Sequence, residues 1–222
     1  VCKTMFTELH HFYDQLCPAC AELNYAKRTE RADLRGRTAL LTGGRVKIGY
    51  QAGLKLLRAG AHLLVTTRFP RDSAMRYARE ADFASWSDRL EIFGLDLRHT
   101  PSVEAFCHLL LTRNDHAQRL DFIVNNACQT VRRPPEFYRH MMALEVAAFA
   151  SLDERHRRLL QSYEALRDPH RMSESRAEAG AMAASVAPER GLAAGAGGVG
   201  LTYAAELSQV AMLPEELSPE PG

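Results

Sequence analysis

The feature that most constrains this chain is an alternation of short apolar runs with amphipathic stretches between residues 36 and 133. Four apolar runs bounded by turn-forming residues are the predicted strands: 37–43, 61–68, 89–97 and 119–127. Helical patterns of about 10–15 residues separate these runs. The alternation is typical of β-α-β units, and it predicts a parallel sheet with right-handed crossover connections.

Local signals place the ends of the predicted helices. The helix at 46–60 ends at Gly60, because glycine readily follows the last turn of a helix. A second helical segment lies around 72–82. The third helix is predicted to have Thr100 as its N-cap residue and Pro101 at its first position.

The regions outside the alternating pattern differ from it in composition. Residues 1–35 form a polar and aromatic leader that we predict to be helical, and residues 134–167 form a helical extension. Residues 168–222 are rich in Ala, Gly, Ser, Glu and Pro, so we predict a mostly disordered tail or an insertion segment. The predicted fold class is α/β: a doubly wound, Rossmann-like parallel sheet over 36–133, incomplete, with a helical leader and a disordered tail.

The charge and hydropathy of the chain exclude several classes of partner. With 28 basic and 27 acidic residues, the chain has no charge excess typical of nucleic-acid binding. No apolar run approaches the roughly 18 residues of a membrane span, and no signal-peptide core is visible. Five irregularly spaced cysteines indicate a reducing compartment, so a cytoplasmic location is predicted.

The segment LLTGGRVKIG (40–49) joins the first predicted strand to the first predicted helix. In parallel sheets this turn commonly binds phosphate, because backbone N–H groups and the helix N-terminus carry partial positive charge. Gly43, Gly44 and Gly49 allow a close approach of backbone to ligand. The alternative is a purely structural turn. A further G-x-G-x-x-G at 195–200 follows no strand, so we do not interpret it as a phosphate site.

Three short motifs occur in a fixed order between residues 37 and 128: TGGRVKIG at 42–49, LDL at 95–97 and VNNAC at 124–128. Together they resemble the short-chain dehydrogenase/reductase family. The first resembles the TGxxxGxG turn of that family, the second its adenine-contacting Asp, and the third its NNAG motif after the fourth strand. Each motif alone would be weak evidence, whereas the three in order make a specific resemblance.

The resemblance implies that these motifs bind a dinucleotide cofactor. The cofactor-binding residues that it implies are Thr42, Gly43, Gly44, Arg45, Lys47, Ile48, Gly49, Asp96, Leu97, Asn125, Asn126 and Ala127. Asp96, with Leu97 beside it, would contact the adenine, and 125–127 would stabilise the sheet and line the cofactor. For Asn125 and Asn126 the alternative is a strand-terminal turn whose side chains bind local backbone.

Lys47 departs from the family pattern, which has glycine at this position. If the backbone there requires a positive φ, a residue other than glycine costs about 1–2 kcal/mol. The ammonium group would offset that cost by its attraction to a phosphate. We therefore expect an altered site rather than an abolished one.

The sequence after the second predicted strand favours NADP over NAD. An acidic residue at that strand end would bind a ribose 2′-OH, whereas this chain reads VTTRFPR, with Arg68 just past the strand and Arg71 nearby. A guanidinium group at Arg68 is suited to a 2′-phosphate. The alternative is that Arg68 is simply solvated.

The catalytic group of the family has no counterpart that we can identify. Family members use a Tyr with a Lys four residues later, a Ser upstream and an Asn, but no lysine follows Lys55 and no asparagine follows Asn126. Tyr163 and Arg167 have the right spacing, yet arginine hardly deprotonates, and the flanking residues predict a surface helix. No catalytic residue is predicted.

The predicted function is that of an NADP-dependent oxidoreductase of the short-chain type, acting on a carbonyl/alcohol pair. The chain is predicted to lack the Ser-Tyr-Lys half and to be inactive alone, with an exposed sheet edge and apolar face. NADP(H) is the predicted ligand, the substrate is left open, and a homo-oligomer is expected of a complete form. The alternative is a non-catalytic nucleotide-binding or interaction protein: a truncated or spliced product, or a pseudoenzyme.

The cysteines are interpreted as ordinary thiols. Cys17 and Cys20 have the spacing of a zinc knuckle, and the further ligands available nearby are Cys2, His10 and His11. A structural zinc site needs four ligands and no second C-x-x-C exists, so no zinc is predicted and the leader helix is expected to pack on the domain. Cys107 is predicted to be buried in a helix, and Cys128 to face the cofactor crevice.

Overall fold

A four-stranded parallel sheet is the centre of the fold. The computed structural model describes residues 2–113, 119–128, 133, 135–167 and 203–210. The strands are β1 (Thr38–Thr42), β2 (His62–Thr67), β3 (Leu90–Gly94) and β4 (Phe122–Asn125). All pairs are parallel, and their order in the sheet is β3-β2-β1-β4. The predicted fold class, a partial Rossmann-like parallel sheet with flanking helices, is confirmed.

The helices follow the strands in chain order. They are α1 (Pro18–Thr29), α2 (Lys47–Arg58), α3 (Pro70–Ala78), α4 (Thr100–Thr112), α5 (Arg139–Glu145), α6 (Glu154–Arg167) and α7 (Ala204–Leu207). Single 3-10 turns occur at Phe83–Ser85, Ser87–Arg89, Pro135–Tyr138 and Phe149–Ser151. The chain divides into two compact units, residues 1–34 and residues 35–222. None of the helices that the structure describes is long and apolar enough to cross a membrane.

The core lies on both faces of β1, β2 and β3. Every residue of β1 and β2 is buried, which explains why these strands read as continuous apolar runs. In register, Leu40 lies opposite Leu64 on one side and Ile123 on the other. β4 differs, since Phe122 is 40% exposed and Ile123 is 59% exposed. Among the described residues no fifth strand pairs with β4.

Helix α6 corrects the prediction of a surface helix around Tyr163. The helix packs on β3, and the Tyr163 side chain is 2% exposed. Its ring lies over Gly94, where an added Cβ would come within 2.4 Å of the phenol. Most residues of this helix are charged or polar, which is why the sequence predicted a surface helix. Its buried face consists of Leu159, Leu160, Tyr163 and Glu164. Within the predicted helical extension 134–167, α5 and α6 are separated by the turn at Phe149–Ser151.

The structure describes a short part of the predicted tail, residues 203–210. Residues 203–210 contain α7, whose Ala204 and Ala205 are buried. The Tyr163 hydroxyl lies 3.5 Å from the Ala204 amide, so α7 packs beside α6. The remainder of 168–222, including the glycine motif at 195–200, lies outside the described residues.

Two local predictions around α4 are also wrong. The N-cap residue is His99 rather than Thr100, because the His99 ring accepts a hydrogen bond from the Ser102 amide at 3.3 Å. Cys107 is exposed rather than buried. The buried face of α4 carries Phe106, which directly precedes Cys107, and Leu110 one turn later.

A partly buried carboxylate on β3, that of Glu91, links this strand to three neighbouring segments. Glu91 accepts hydrogen bonds from Arg113 at 2.8 Å and Ser162 at 2.6 Å. It also lies 2.9 Å from the His62 ring. Burial alone would raise the pKa of Glu91, but these hydrogen bonds hold it at about 2, below its ordinary 4.5. The ionised group therefore stabilises the fold above pH 4.5, and that contribution is lost as the pH falls towards 2.

We predict that Glu91→Gln lowers the free energy of unfolding at pH 7 by about 1–3 kcal/mol, because it removes charge-assisted hydrogen bonds. Urea denaturation measures this difference. The difference between variant and wild type should close as the pH falls from 4.5 to 2. Glu104→Gln, at an exposed position of α4, is the control. A loss that is equal in both variants, or that persists at low pH, contradicts the prediction.

Candidate dinucleotide site

The turn between β1 and α2 has the backbone conformation that the resemblance implies. Gly43 has a φ of +70°, in the region that favours glycine. Its N–H donates to the Thr66 carbonyl at 2.8 Å, which continues the sheet by one residue. An added Cβ at Gly43 would lie 3.0 Å from the Cα of Ala127, so β4's continuation passes directly beside the turn.

Gly49 marks the closest backbone approach in the site. It lies in the first turn of α2, where a Cβ would stand 2.3 Å from the Gly43 carbonyl oxygen and 2.4 Å from the Asn126 amide nitrogen. No larger residue fits without moving the helix away from the strand. Because Gly49 has no side chain, the N-terminus of α2 can lie directly against the turn.

Asn126 ties the turn to the end of β4. Its side-chain nitrogen donates to the carbonyls of Gly43 at 3.1 Å and Thr42 at 3.3 Å. The Thr42 hydroxyl accepts hydrogen bonds from the amides of Asn126 and Ala127, both at 3.0 Å. These contacts join two segments more than 80 residues apart, so the Asn126 side chain does not make the local turn considered as the alternative. Asn125 is exposed.

The back of the turn is closed by the sheet. An added Cβ at Gly44 would meet Val65 at 2.8 Å. The buried Tyr77 hydroxyl donates to the Gly44 carbonyl at 2.9 Å. Burial raises the pKa of Tyr77, so the phenol stays a donor. The turn is thus supported from behind, and its open side carries Lys47 and Ile48, both exposed.

Lys47 adopts the conformation that sequence analysis considered costly. Its φ is +53°, and Lys3 is the other non-glycine residue with positive φ among those described. The expected strain of about 1–2 kcal/mol therefore applies. No contact of the ammonium group with the turn offsets this strain within the described residues.

Two arginines near the site are engaged by other side chains of the protein. Arg45 pairs with Asp72 at 2.7 Å, and Arg68 lies 3.2 Å from the Tyr138 hydroxyl with its guanidinium 5.1 Å from that ring. Asp96, only 2% exposed, pairs with Arg98 at 2.6 Å, whereas Leu97 beside it is exposed.

An apolar cluster covers the carboxyl end of β2. We call Phe69, Tyr138, Met141 and Ala205 the cover. Phe69 is the second residue after β2, and the other three come from residues 135–145 and from α7. Arg45 also contacts the cover, with its guanidinium 3.3 Å from the Met141 sulfur. Nothing in the sequence indicated these contacts, since the apolar residues of 136–145 have no motif.

Buried polar groups fasten the cover to α3. The Glu145 carboxylate accepts hydrogen bonds from the backbone amides of Arg71 at 3.1 Å and Asp72 at 2.8 Å. Burial raises the pKa of Glu145 to about 7 against the influence of these two amides. Arg71, which the sequence placed near a 2′-phosphate, is instead 3% exposed and donates to the carbonyls of Leu144 and Ala147. It is thus unavailable to a ligand.

Fold and turn together define a class: an α/β protein with a dinucleotide-type strand–turn–helix at the carboxyl edge of a parallel sheet. No family model matches the chain. An uncharacterised protein of Acanthamoeba polyphaga mimivirus is 34% identical over 133 residues, covering 59% of this chain and 28% of that protein. Dehydrogenase/reductase SDR family member 13 of Bos taurus is 34% identical over 107 residues. The match covers 46% of this chain and 27% of that protein.

A solved structure is also similar. The Pseudomonas aeruginosa RhlG/NADP active-site complex has 25% identity and a TM-score of 0.34, covering 60% of this chain and 48% of that one. The chain spans little more than a quarter of the two curated relatives named above. The predicted resemblance to the short-chain dehydrogenase/reductase family is confirmed by the Bos taurus relative.

We predict that Gly49→Ala lowers the free energy of unfolding by about 1–3 kcal/mol, because the new methyl group must displace backbone. Gly36→Ala is the control: that glycine has a φ of +71° but nothing within 4 Å of an added Cβ. It should cost only the conformational strain, about 1 kcal/mol. Thermal and urea unfolding measure both. Equal losses in the two variants would mean that the close approach does not matter.

Proposed function

We propose that this chain binds NADP(H) at the β1–α2 turn, as the cofactor-binding part of a short-chain oxidoreductase acting on a carbonyl/alcohol pair. The observation that carries the proposal is the approach of Gly49 to the Gly43 carbonyl, tied by Asn126 to β4. This arrangement leaves backbone amides and a helix N-terminus at the open side of the turn. The dehydrogenase/reductase name of a relative at 34% identity supports it.

The residues of the turn fit the diphosphate part of a dinucleotide. Gly43 and Gly49 let the end of β4 and the first turn of α2 pack closely against the turn, and Lys47 is exposed at its rim. When bound, the nicotinamide would supply or accept a hydride. The residues of this chain would bind and orient the cofactor: the turn from Thr42 to Gly49 at the diphosphate, and the segment 125–127 beside it.

We prefer NADP to NAD because of Arg68. Its guanidinium lies just past β2, where a ribose phosphate would need a cation, and nothing acidic replaces it at that strand end. In the structure, Arg68 contacts Tyr138. A phosphate would therefore compete with the tyrosine for the same guanidinium.

We also propose that the chain does not catalyse hydride transfer by itself. Proton transfer to a substrate oxygen needs a titratable group at an accessible position. Tyr163 is buried under β3, and burial raises its pKa to about 12. Arg167 pairs with Glu164 at 2.7 Å. Neither residue can act on a substrate from these positions.

The cover favours a second candidate function, that of a non-catalytic binding or interaction protein. Arg45, Arg68 and Asp96 all have intramolecular partners at the end of the sheet where an adenosine would bind. Tyr138 and Met141 occupy the adjoining space. Under this alternative the dinucleotide turn is retained for its structural role, and the chain binds NADPH weakly or not at all.

Titration of the purified chain with NADPH, followed by nucleotide fluorescence, tests the main proposal. We expect saturable binding, with NADPH preferred to NADH. Lys47→Glu should weaken binding about tenfold or more, because it replaces an attraction to phosphate with a repulsion. Lys55→Glu makes the same charge change at an exposed position farther along α2 and should have no effect. Absence of saturable binding, or equal effects of the two variants, would reject the cofactor assignment.

A second variant tests whether the cover limits access. Tyr138→Ala removes the ring that holds Arg68, so NADPH affinity should rise several-fold if the cover competes with the nucleotide. Phe137→Ala removes an exposed neighbouring ring and should leave affinity unchanged. Circular dichroism verifies that both variants keep the fold. An affinity that Tyr138→Ala leaves unaltered would show that the cover does not compete.

A further inference from the structure

Three thiols converge in the unit formed by residues 1–34. The Cys2 sulfur lies 3.3 Å from that of Cys17 and 3.4 Å from that of Cys20. All three sulfur atoms lie within 4.8 Å of one another. The C-x-x-C pair is visible in the sequence. Cys2 lies 15 residues before Cys17, and no motif marks it as a third member of the cluster.

The start of α1 positions two of these thiols. Cys17 is the N-cap residue, Pro18 begins the helix and Cys20 lies in its first turn. The partial positive charge of a helix N-terminus stabilises a thiolate, which is the form of cysteine that binds metal. The third thiol is brought to this helix end by the residues that precede it, not by the helix itself.

The unit has little else to hold it together. Among its described residues, 2–34, Ala21 is the one buried apolar residue. Larger apolar side chains are exposed: Met5, Leu9, Phe12 and Leu23. Units below about 40 residues usually need disulfides, metals or oligomerisation, because a core of this size cannot offset the loss of chain entropy. The sulfur cluster is the feature of this unit that can supply such a crosslink.

We propose that Cys2, Cys17 and Cys20 bind one Zn²⁺ ion through three thiolates, with a water molecule or a small ligand as the fourth ligand that a tetrahedral site needs. Tetrahedral zinc with Zn–S bonds of about 2.3 Å separates its sulfur ligands by about 3.8 Å. The Cys2–Cys17 and Cys2–Cys20 separations of 3.3 Å and 3.4 Å are slightly shorter than that value, and the Cys17–Cys20 separation is at most 4.8 Å, so small side-chain shifts would accommodate the ion. Soft thiolate ligands also select zinc over magnesium or calcium.

A metal explains the cluster better than a disulfide. Three mutually adjacent sulfurs cannot all be paired by a disulfide, which joins two and leaves one thiol. A single ion engages all three at once and links residue 2 to the start of α1. That link closes the loop between residue 2 and α1. The apolar residues of this loop are exposed, so they do not form a core that would close it.

Metal titration of the full chain tests the proposal. Protein kept reduced and stripped with a chelator is titrated with Zn²⁺ against a chromophoric competitor, and with Co²⁺ for its thiolate charge-transfer band. We expect one ion per chain. Serine at any of the three positions (Cys2→Ser, Cys17→Ser, Cys20→Ser) should weaken binding by about 100-fold or more, since each removes one ligand. Cys107→Ser and Cys128→Ser, at exposed cysteines elsewhere, should leave binding unchanged.

Two results would overturn the proposal. One is the absence of stoichiometric Zn²⁺ binding by the reduced chain while all five cysteines react with a thiol reagent. The other is binding that survives Cys2→Ser at wild-type affinity, which would mean that the third thiol is not a ligand. Limited proteolysis adds a structural measure, because zinc should protect residues 2–34 in the wild type but not in Cys2→Ser.

Discussion

The close contact between the first turn of α2 and the end of β1 sets the geometry on which the rest of the domain depends. At Gly49 the helix backbone lies where a methyl group would touch the Gly43 carbonyl. The Asn126 amide then binds the same carbonyl, so one oxygen atom links β1, α2 and the continuation of β4. Because the strands are parallel, this junction fixes both the crossover helix and the edge at which a ligand would bind.

Sequence reasoning succeeded where structure is specified locally. The four strands and the turn at 43–46 were predicted because apolar runs, glycines and flanking helical patterns are all short-range signals. It failed where burial depends on a distant partner. Tyr163 is buried because Gly94 leaves room for its ring, and α7 is helical beside it. Neither partner can be inferred from the helical pattern of 154–167.

The same distinction applies to the candidate site. The backbone cradle was predictable from three motifs, whereas the cover was not, because Arg68 and its partner Tyr138 are 70 residues apart. The thiol cluster is an intermediate case. Its C-x-x-C pair is visible in the sequence, but the adjacency of Cys2 requires the folded leader. Side chains that meet only through tertiary structure therefore account for most of what was missed.

The burial of Arg71 has a consequence for how this protein can diverge. Its guanidinium is shared among α3, α5 and α6, through the carbonyls of Leu144 and Ala147 and the Glu164 carboxylate 3.4 Å away. Removing Glu164 leaves the buried guanidinium of Arg71 without this carboxylate, at a cost of about 3–5 kcal/mol. A single exchange at position 164 would thus be selected against unless position 71 changes with it.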